Sequence, residues 1–383
     1  MPFPDLVPEL TDGVVRLRAH HERDVARIVE QCTDPETLRW TTVPAPYDEA
    51  DARAFLDEIA RNWESVDGVR AWAVTDATDP DQVLAGTIDI RPRGGGLAAV
   101  GYGLHPQARG RHLMAAALRL AAHWWFEHQQ GTRLTWTAYE DNLPSWAVAR
   151  AAGFRFESIN PACATTRSGE ITGEWHGALN ASDPRTATSW WYDVPPFTVG
   201  PVHLRAWEDG DSEAIETPDH PPHWLPARGI PTPESFGSWL ARRRQLLARG
   251  VAQGWCLADA ATGAARGDVV IFSSTGALAD ADTGELGYWL SPSARGQGLL
   301  AAALRAVIAH AFTPAEPGDL AGVTGLGLRR LVAETAADNH GSNRALERAG
   351  FTIWGREEAA TGPDGRPGPA LHWELLSGNP PRP

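Results

Sequence analysis

The sequence predicts an α+β fold that occurs twice, each copy being a mixed, mostly antiparallel twisted sheet flanked by helices. Three observations lead to this prediction. The 383 residues suffice for two or three domains of ordinary size. Short motifs recur in the same order in both halves of the chain. Within each half, β-rich runs with turn signals alternate with segments of helical periodicity, which is typical of sheets layered with helices.

The repeated motifs define the boundaries of the two lobes. The motif pairs are residues 15–19 with 202–206, 101–110 with 287–296, and 141–154 with 338–351. The spacing changes by one residue between the first two pairs and by 11 residues before the last pair, and we place these additional residues of the second copy in the Gly- and Pro-rich stretch 313–325. The expected division is a first lobe 1–180, a linker 181–196, a second lobe 197–377 and a flexible Pro-rich tail 378–383.

The elements of each lobe follow in the order strand, helices, strands, helix, strand, helix, strand. Paired β-rich runs predict a hairpin in each lobe, at 69–75 with 83–90 and at 254–259 with 267–273. Apolar residues at helical spacing predict helices over 113–128 and 299–312. Strands are expected next, over 133–139 and 330–335, and the strand–helix–strand order indicates a parallel crossover within an otherwise antiparallel sheet.

Composition and charge exclude several functional classes. The net charge of −14 opposes nucleic-acid binding and favours cationic substrates through long-range attraction. Because the chain has neither an apolar run of about 20 residues nor a secretory signal, we expect a cytoplasmic protein without a membrane partner. Its three cysteines, Cys32, Cys163 and Cys256, are too dispersed for a disulfide framework or a zinc site. We therefore expect buried thiols and no bound metal.

The junction after strand 285–290 combines the features of an anion site. The segment 291–298 carries Arg295, Gly296 and Gly298 and leads directly into a helix. Glycine allows a ligand to approach the backbone, and a helix start offers unpaired N–H groups and a favourable dipole for phosphate. The spacing matches neither the Walker A loop nor the dinucleotide fingerprint. A purely structural turn with a helix cap also fits these residues.

A second block, Asn339-His-Gly-Ser342 followed by a helix and Gly350-Phe351, completes the pattern. Together the two blocks resemble the GNAT superfamily of acyl-CoA-dependent N-acyltransferases, and most of all the branch of the ribosomal-protein alanine N-acetyltransferases. Ser293 stands where the family's phosphate-loop signature has Gln or Arg. The opening Leu17-Arg18, followed by Asp24, extends the resemblance to the front of each copy, so that it covers two tandem lobes.

The resemblance implies a binding mode for an acyl-CoA co-substrate, most simply acetyl-CoA. The strands flanking the crossover would separate, and the pantetheine arm would enter the gap beside the backbone of Trp289 and Leu290. These N–H groups would also polarise the thioester carbonyl. The pyrophosphate would bind the loop and helix start, chiefly through main-chain N–H groups, at Arg295, Gly296, Gln297, Gly298 and Leu299.

Two residues of the second lobe are candidates for the chemistry. Aminolysis of a thioester needs a base that takes a proton from the amine, and Glu285, on the strand leading to the loop, is our choice. The resemblance places Ser342 where it faces the departing thiolate and Asn339 where it bonds a pantetheine amide. Simpler roles remain open, namely a strand-end carboxylate for Glu285 and helix capping for Asn339 or Ser342.

The first lobe keeps only part of this pattern. Its loop carries Arg109 and Gly110, but His112 stands at the position of the last glycine, either donating to a phosphate or merely tolerated at a helix start. Ala99 replaces the glutamate, whereas Asn142 and Ser145 retain the second block. We therefore expect acyl-CoA binding without turnover, or a role in shaping the acceptor groove, and chemistry in the second lobe.

The function expected from these features is transfer of an acyl group, most simply acetyl, from CoA to a primary amine by direct attack. The acceptor would be a protein N-terminus or a small-molecule amine, and the enzyme a monomer or homodimer. A catalytically silent acyl-CoA sensor or scaffold is the alternative, because the first lobe lacks the glutamate and Ser293 departs from the signature.

Overall fold

The computed structural model describes residues 7–188, 193–224, 229–278, 281–314, 325–362 and 364–378. The chain divides into two compact units, residues 1–189 and 190–383. This division falls inside the stretch 181–196 that the sequence marks as a linker. Most of the proposed insertion 313–325 and of the tail 378–383 lies outside the described residues.

The first lobe is an eight-stranded mixed sheet in the order β1-β2-β3-β4-β5-β6-β8-β7. Neighbouring strands are antiparallel except for the parallel pair β5 and β6. Its elements are β1 Leu10–Thr11, β2 Val15–Arg18, α1 Val25–Thr33, α2 Pro35–Trp40, α3 Glu49–Glu64, β3 Arg70–Asp76, β4 Leu84–Gly94, β5 Leu97–Leu104, α4 Leu113–His128, β6 Arg133–Tyr139, α5 Leu143–Ala151, β7 Arg155–Thr165 and β8 Ile171–Asn180.

The second lobe repeats this topology in a sheet of the order β15-β16-β14-β13-β12-β11-β10-β9. Here the parallel pair is β13 and β14. Its elements are β9 Phe197–Val199, β10 Val202–Arg205, α6 Phe236–Ala248, β11 Ala252–Asp259, β12 Ala265–Phe272, β13 Thr283–Leu290, α7 Leu299–Phe312, β14 Arg330–Ala336, α8 His340–Arg348, β15 Thr352–Thr361 and β16 Pro367–Leu376. The α+β prediction of two tandem lobes is therefore confirmed.

Apolar side chains cover both faces of each sheet. In the second lobe, Leu304, Val307 and Ile308 of α7 join a core with the inward residues of the strands and with α8. The opposite face carries a separate aromatic cluster around α6, which includes Trp207, Phe236 and Trp289. Burying aromatic rings of this size contributes strongly to stability. The two faces of the sheet are thus packed by different helices, and the ends of β13 and β14 lie between them.

A buried ion pair fixes the start of each lobe. Both guanidinium nitrogens of Arg18 donate to Asp24, over 2.8 and 2.9 Å, and the second lobe has the same fork between Arg205 and Asp211. The Arg and Asp of the opening motif are therefore a structural device that joins β2 or β10 to the following turn.

The thiol prediction is partly wrong. Cys32 and Cys256 are buried as expected, but Cys163 is exposed, because it lies on β7 at the edge of the first sheet. Among the described residues no helix is long and apolar enough to span a membrane.

Candidate functional site

Each lobe contains a wedge-shaped gap between its two parallel strands. β13 and β14 pair only through Thr283, Gly284 and Glu285, after which they no longer form a ladder. β5 and β6 likewise pair only from Leu97 to Ala99. Beyond the last pair, backbone N–H and C=O groups facing the gap lack a β-strand partner, and an extended ligand is able to satisfy them.

The loop at the mouth of the gap has left-handed backbone at two positions in both lobes. In the second lobe these are Gly296 and Gly298, with φ of 71° and 75°. In the first lobe they are Gly110 and His112, with φ of 73° and 58°. No described side chain caps α7 or α4, so the first N–H groups of both helices point out of the loop without a cap. The arrangement suits an anion, as the sequence predicts.

The loop arginines point away from these N–H groups. Arg295 donates to Asp219 and lies 3.1 Å from the ring of His220, and Arg109 donates to Asp34 and Thr37 in the equivalent region. The arginine side chains therefore tie the loop to the segment before α6 or to α2. The predicted phosphate contacts at these two residues are main-chain N–H groups, which these side-chain bonds leave unaffected. The exposed carboxyl of Asp219 has a lowered pKa because Arg295 donates to it.

Ser293 and Gln297 also stabilise the loop of the second lobe. Ser293 donates its backbone N–H and its hydroxyl to the carboxylate of Glu216, and Gln297 donates its amide to the carbonyl of Ser293 over 2.7 Å. A serine is sufficient at the signature position because Glu216 supplies its partner. In the first lobe Gln107 instead accepts from Arg27 over 2.8 Å.

The segment after Glu216 continues across the second lobe to the start of α8. There His223 and Trp224 each lie 2.8 Å from the carboxylate of Asp338. The hydrogen bond with His223 is the main reason that the pKa of Asp338 is lowered. One segment is thus bonded both to the loop and to the helix that follows the gap.

A tyrosine that the sequence interpretation overlooked joins β13 to α8, the helix that follows β14. Tyr288 of β13 places its hydroxyl 2.6 Å from the Ser342 hydroxyl, while Asn339 accepts the N–H of Ser342 and caps α8. The first lobe repeats the arrangement with Tyr102 and Ser145. The capping role left open for Asn339 is therefore observed, and Ser342 is positioned by Tyr288. Burial raises the pKa of Tyr288, so its hydroxyl stays protonated and available as a donor.

Glu285 lies at the vertex of the gap, in the last parallel pair with Val332. Burial raises the pKa of its carboxyl, and the carboxylate of Glu334 on β14 raises it further. Glu334 in turn lies 3.7 Å from His372, which is 3.6 Å from Glu357. A carboxylate with a raised pKa is a better proton acceptor near neutral pH than an ordinary one.

Only one of the two predicted thioester-binding residues has its backbone N–H directed into the gap. Ser291 donates its N–H to the carbonyl of Arg266 in β12, and the register between β12 and β13 is continuous. Because successive N–H groups of a strand point to opposite edges, Leu290 faces the gap and Trp289 faces β12. The indole of Trp289 packs against Trp207 and Trp239.

Comparison with known families identifies the family of the chain. A family model described as "Acetyltransferase (GNAT) domain" matches residues 15–155 and again 202–352. The chain belongs to the GNAT acetyltransferase family. The two matches coincide with the two lobes, so the protein is a tandem GNAT chain, and the resemblance drawn from its motifs is confirmed.

Individual relatives of this tandem GNAT chain match shorter stretches. The ribosomal-protein-serine acetyltransferase of Escherichia coli K12 is 40% identical over 73 residues, which are 19% of this chain and 35% of the relative. A GNAT-family acetyltransferase from Bacillus anthracis is 18% identical, with a TM-score of 0.40, and the match covers 45% of this chain and 99% of that one. Mycobacterium smegmatis RimJ in complex with CoA-disulfide is 21% identical, with a TM-score of 0.41, and the match covers 46% of this chain and 88% of that one.

The two GNAT lobes differ on the face that carries Glu285. Ala99 occupies the equivalent place in the first lobe, as the sequence predicts, and Gly103 replaces Trp289. His112 adopts the backbone of Gly298. The loop conformation is thus the same in both lobes despite the change of residue, whereas the side chains around the gap differ.

Proposed function

We propose that the chain is an acetyl-CoA-dependent N-acetyltransferase for primary amines, with Glu285 of the second lobe as a general base. The observation that carries the proposal is the position of this carboxylate, at the vertex of a strand gap whose mouth is an uncapped helix start. A gap that accepts an extended thioester arm, a site for its phosphates and a base for the amine are thereby combined in one lobe.

The second lobe supplies each group that the reaction needs. Main-chain N–H groups at 296–299 would hold the pyrophosphate, and the N–H of Leu290 would polarise the thioester carbonyl. Glu285 accepts a proton from the ammonium group, and the freed nitrogen attacks the carbonyl carbon. The C–S bond then breaks, the nitrogen loses its second proton, and the thiolate takes a proton from the hydroxyl of Ser342, which the proton released by the nitrogen restores. Tyr288 orients the Ser342 hydroxyl, and Glu285 passes its proton to solvent.

The acidic surroundings of Glu285 fit a cationic acceptor. Glu334 and Glu357 lie on either side of His372, and the whole chain carries a net charge of −14. Such charges attract an ammonium group over distances of about a Debye length. The Escherichia coli relative is named a ribosomal-protein-serine acetyltransferase, which favours a protein as acceptor. We place the activity in the cytoplasm, without a nucleic-acid partner.

Replacement of the base tests the proposal directly. Glu285→Gln keeps the shape of the side chain but removes its basicity, so kcat should fall about 10²- to 10⁴-fold while the KM for acetyl-CoA changes little. CoA release is measured with a panel of small amines and peptides that have free N-termini. Glu358→Gln, an exposed carboxylate paired with an arginine, is the matched control.

Two outcomes would contradict the proposal. The first is saturable acetyl-CoA binding without CoA release in the presence of any amine, which is the behaviour of a sensor. The second is full activity of Glu285→Gln.

A further inference from the structure

The first lobe carries a carboxylate for which the second lobe has no counterpart. Asp89 of β4 lies directly opposite Gly101 of β5, whereas the second lobe has Val270 opposite Gly287 at the equivalent positions. Side chains on directly opposed residues of an antiparallel pair project from the same face of the sheet. Asp89 therefore lies beside the first-lobe gap, on a different strand from the missing glutamate.

The carboxylate is placed over the strand that borders the gap. A Cβ atom added to Gly101 would meet the Arg91 guanidinium first and then, at 2.8 Å, Asp89 Oδ2, so only glycine leaves room for this pair of side chains. Gly101 follows Ala99 by two residues, and strand side chains two apart share a face. Asp89 thus reaches the same face that Glu285 occupies in the second lobe.

The guanidinium of Arg91 covers Gly101, and the neighbouring positions carry small or polar groups, in contrast to the second lobe. Ala99, Gly101 and Gly103 extend no side chain beyond Cβ, and a Cβ on Gly103 would lie 3.1 Å from the Gln31 amide nitrogen. Among the described residues, the Gln31 carbonyl oxygen is buried without a hydrogen-bond partner. In the second lobe, Trp289 fills the place of Gly103.

The ionic contact of Asp89 does not account for its placement. Arg91 Nη2 donates to Oδ2 over 3.0 Å, and Arg91 Nε lies 2.7 Å from Oδ1, so that the guanidinium contacts both carboxylate oxygens. The side chain of Asp89 is only 17% exposed, that of Arg91 is 51% exposed, and burial raises the pKa of the carboxyl. Pairs with so exposed a partner contribute little to stability, so a structural role is a poor reason for burying this group.

We propose that the first lobe is a second acetyl-transfer site, in which Asp89 takes the proton from the acceptor amine. The inference rests on the proposed function of the chain. The amine nitrogen forms a bond to the thioester carbon, and the C–S bond breaks. Of the two protons that the ammonium nitrogen loses, one passes through Asp89 to solvent and the other ends on the sulfur of CoA.

The other parts of a transfer site are present in the same lobe. The gap opens after Ala99, and the loop with Gly110 and His112 leads into the uncapped start of α4. Asn142 and Ser145 repeat the contacts of the second block. The first lobe thus has the gap, the loop and the helix start that acyl-CoA binding requires, and the inference adds the base.

The experiment isolates the first lobe within the full-length chain. Gly298→Asp with Glu285→Gln disables the second lobe, and CoA release from acetyl-CoA is measured with the peptide amine that the wild-type chain acetylates fastest. We expect turnover to persist in this background. Adding Asp89→Asn should then lower kcat at least 10²-fold and leave the KM for acetyl-CoA within about twofold. Glu157→Gln, another arginine-paired carboxylate of the first lobe, is the control and should have no effect.

The possible outcomes separate this inference from the proposed function. Wild-type turnover that disappears when the second lobe is disabled overturns the inference alone, and so does persisting turnover that Asp89→Asn leaves unchanged. Failure of the wild-type chain to release CoA with any amine overturns the proposed function and the inference together. A loss of kcat in Asp89→Asn with an unchanged KM for acetyl-CoA supports the inference. Loss of a purely structural ion pair would instead affect catalysis and acetyl-CoA binding together.

Discussion

The carboxylate of Glu334 acts on that of Glu285 because the two lie on the same face of neighbouring strands. Glu285 is half-buried, and the negative charge of Glu334 adds to the burial in raising its pKa. Electrostatic coupling of this kind sets the pH at which a base becomes active. The pH dependence of the reaction is therefore a property of the pair.

Glu334→Gln should shift the acid limb of the rate profile to lower pH. A raised pKa means that Glu285 is protonated, and inactive as a base, until the pH exceeds that value. Removal of the neighbouring charge lowers the pKa toward its ordinary range, so kcat/KM should rise at acidic pH and remain similar at high pH. The measurement is kcat/KM against pH for both chains. His372, which faces Glu334, requires its own control variant, His372→Gln. If the acid limb of the kcat/KM profile has the same midpoint in Glu334→Gln and in the wild-type chain, Glu285 is not the titrating group.

The ion pair of Arg18 and Asp24 makes a testable contribution to stability. Its side chains are 4% and 3% exposed. Burial by itself would raise the pKa of Asp24, but the hydrogen bonds from Arg18 outweigh it and hold the pKa below the ordinary value. A lowered folded pKa adds stability that is present above the unfolded pKa, about 3.9, and is lost as the pH falls through the folded pKa.

Asp24→Asn should destabilise the first lobe by about 3–5 kcal/mol near neutral pH, because it leaves a buried guanidinium without its counter-ion. The measurement is urea denaturation at pH 7 and again below pH 3, where the difference from wild type should shrink. Asp211→Asn in the less buried pair of the second lobe should cost less. Equal stability of Asp24→Asn and wild type at pH 7 would contradict this account.

At the scale of elements, the loop conformation and not the side chain defines the anion site. Gly298 and His112 share a left-handed backbone, and a Cβ at Gly296, Gly298 or Gly110 would meet no atom within 4 Å. Substitution there is expected to change what a ligand meets without disturbing the packing of the protein.

Gly298→Asp and Gly110→Asp should each raise the KM or Kd for acetyl-CoA in their own lobe. The new carboxylate faces the pyrophosphate, and like charges in a partly desolvated site repel by on the order of a few kcal/mol. Calorimetric titration of acetyl-CoA should show one of two binding events lost in each variant. Asp is among the residues that adopt left-handed backbone most readily, so both should fold. His112→Gly is the matched control and should preserve binding. Two intact binding events in either Asp variant would remove the site from that loop.

Elements with strong periodicity were predictable from the sequence. The helices over 113–128 and 299–312 and the strand over 133–139 have the predicted bounds, because their apolar stripes and flanking turns are local signals. The parallel crossover also follows from the order of elements. A helix or strand is therefore predictable from the sequence when its own residues and the flanking turns carry the signal.

Contacts between different elements were not predictable in this way. The bond between Tyr288 and Ser342 and the place of Asp89 above Gly101 depend on register, which a one-residue shift would abolish. The carboxylates of Asp219 and Asp34, to which the loop arginines donate, could not be paired with them from the sequence, because they lie about 75 residues away along the chain.

At the scale of the whole molecule, each lobe is complete in itself. All eight strands of either sheet come from one unit, and each lobe has its own buried residues on both faces. Units of about 190 residues bury roughly 70% of the surface of their unfolded chains, which is enough for independent stability.

The two units should therefore fold when they are produced separately. We expect residues 1–189 and 190–383 each to give a cooperative unfolding transition, and acetyl-CoA at 100 times its Kd to stabilise either one by about 2.7 kcal/mol. Circular dichroism with urea, with and without ligand, provides the measurement. Aggregation or non-cooperative unfolding of one fragment would show that it requires the other lobe.

The agreement in backbone between Gly298 and His112 has a consequence for inhibition. A compound that mimics the pyrophosphate would be held by main-chain N–H groups, which every amino acid except proline provides at these positions. Exchange of a single side chain would rarely remove such contacts. We therefore expect few resistance mutations against an inhibitor of this type, and those that arise should introduce a negative charge or proline into residues 296–299 or 110–113.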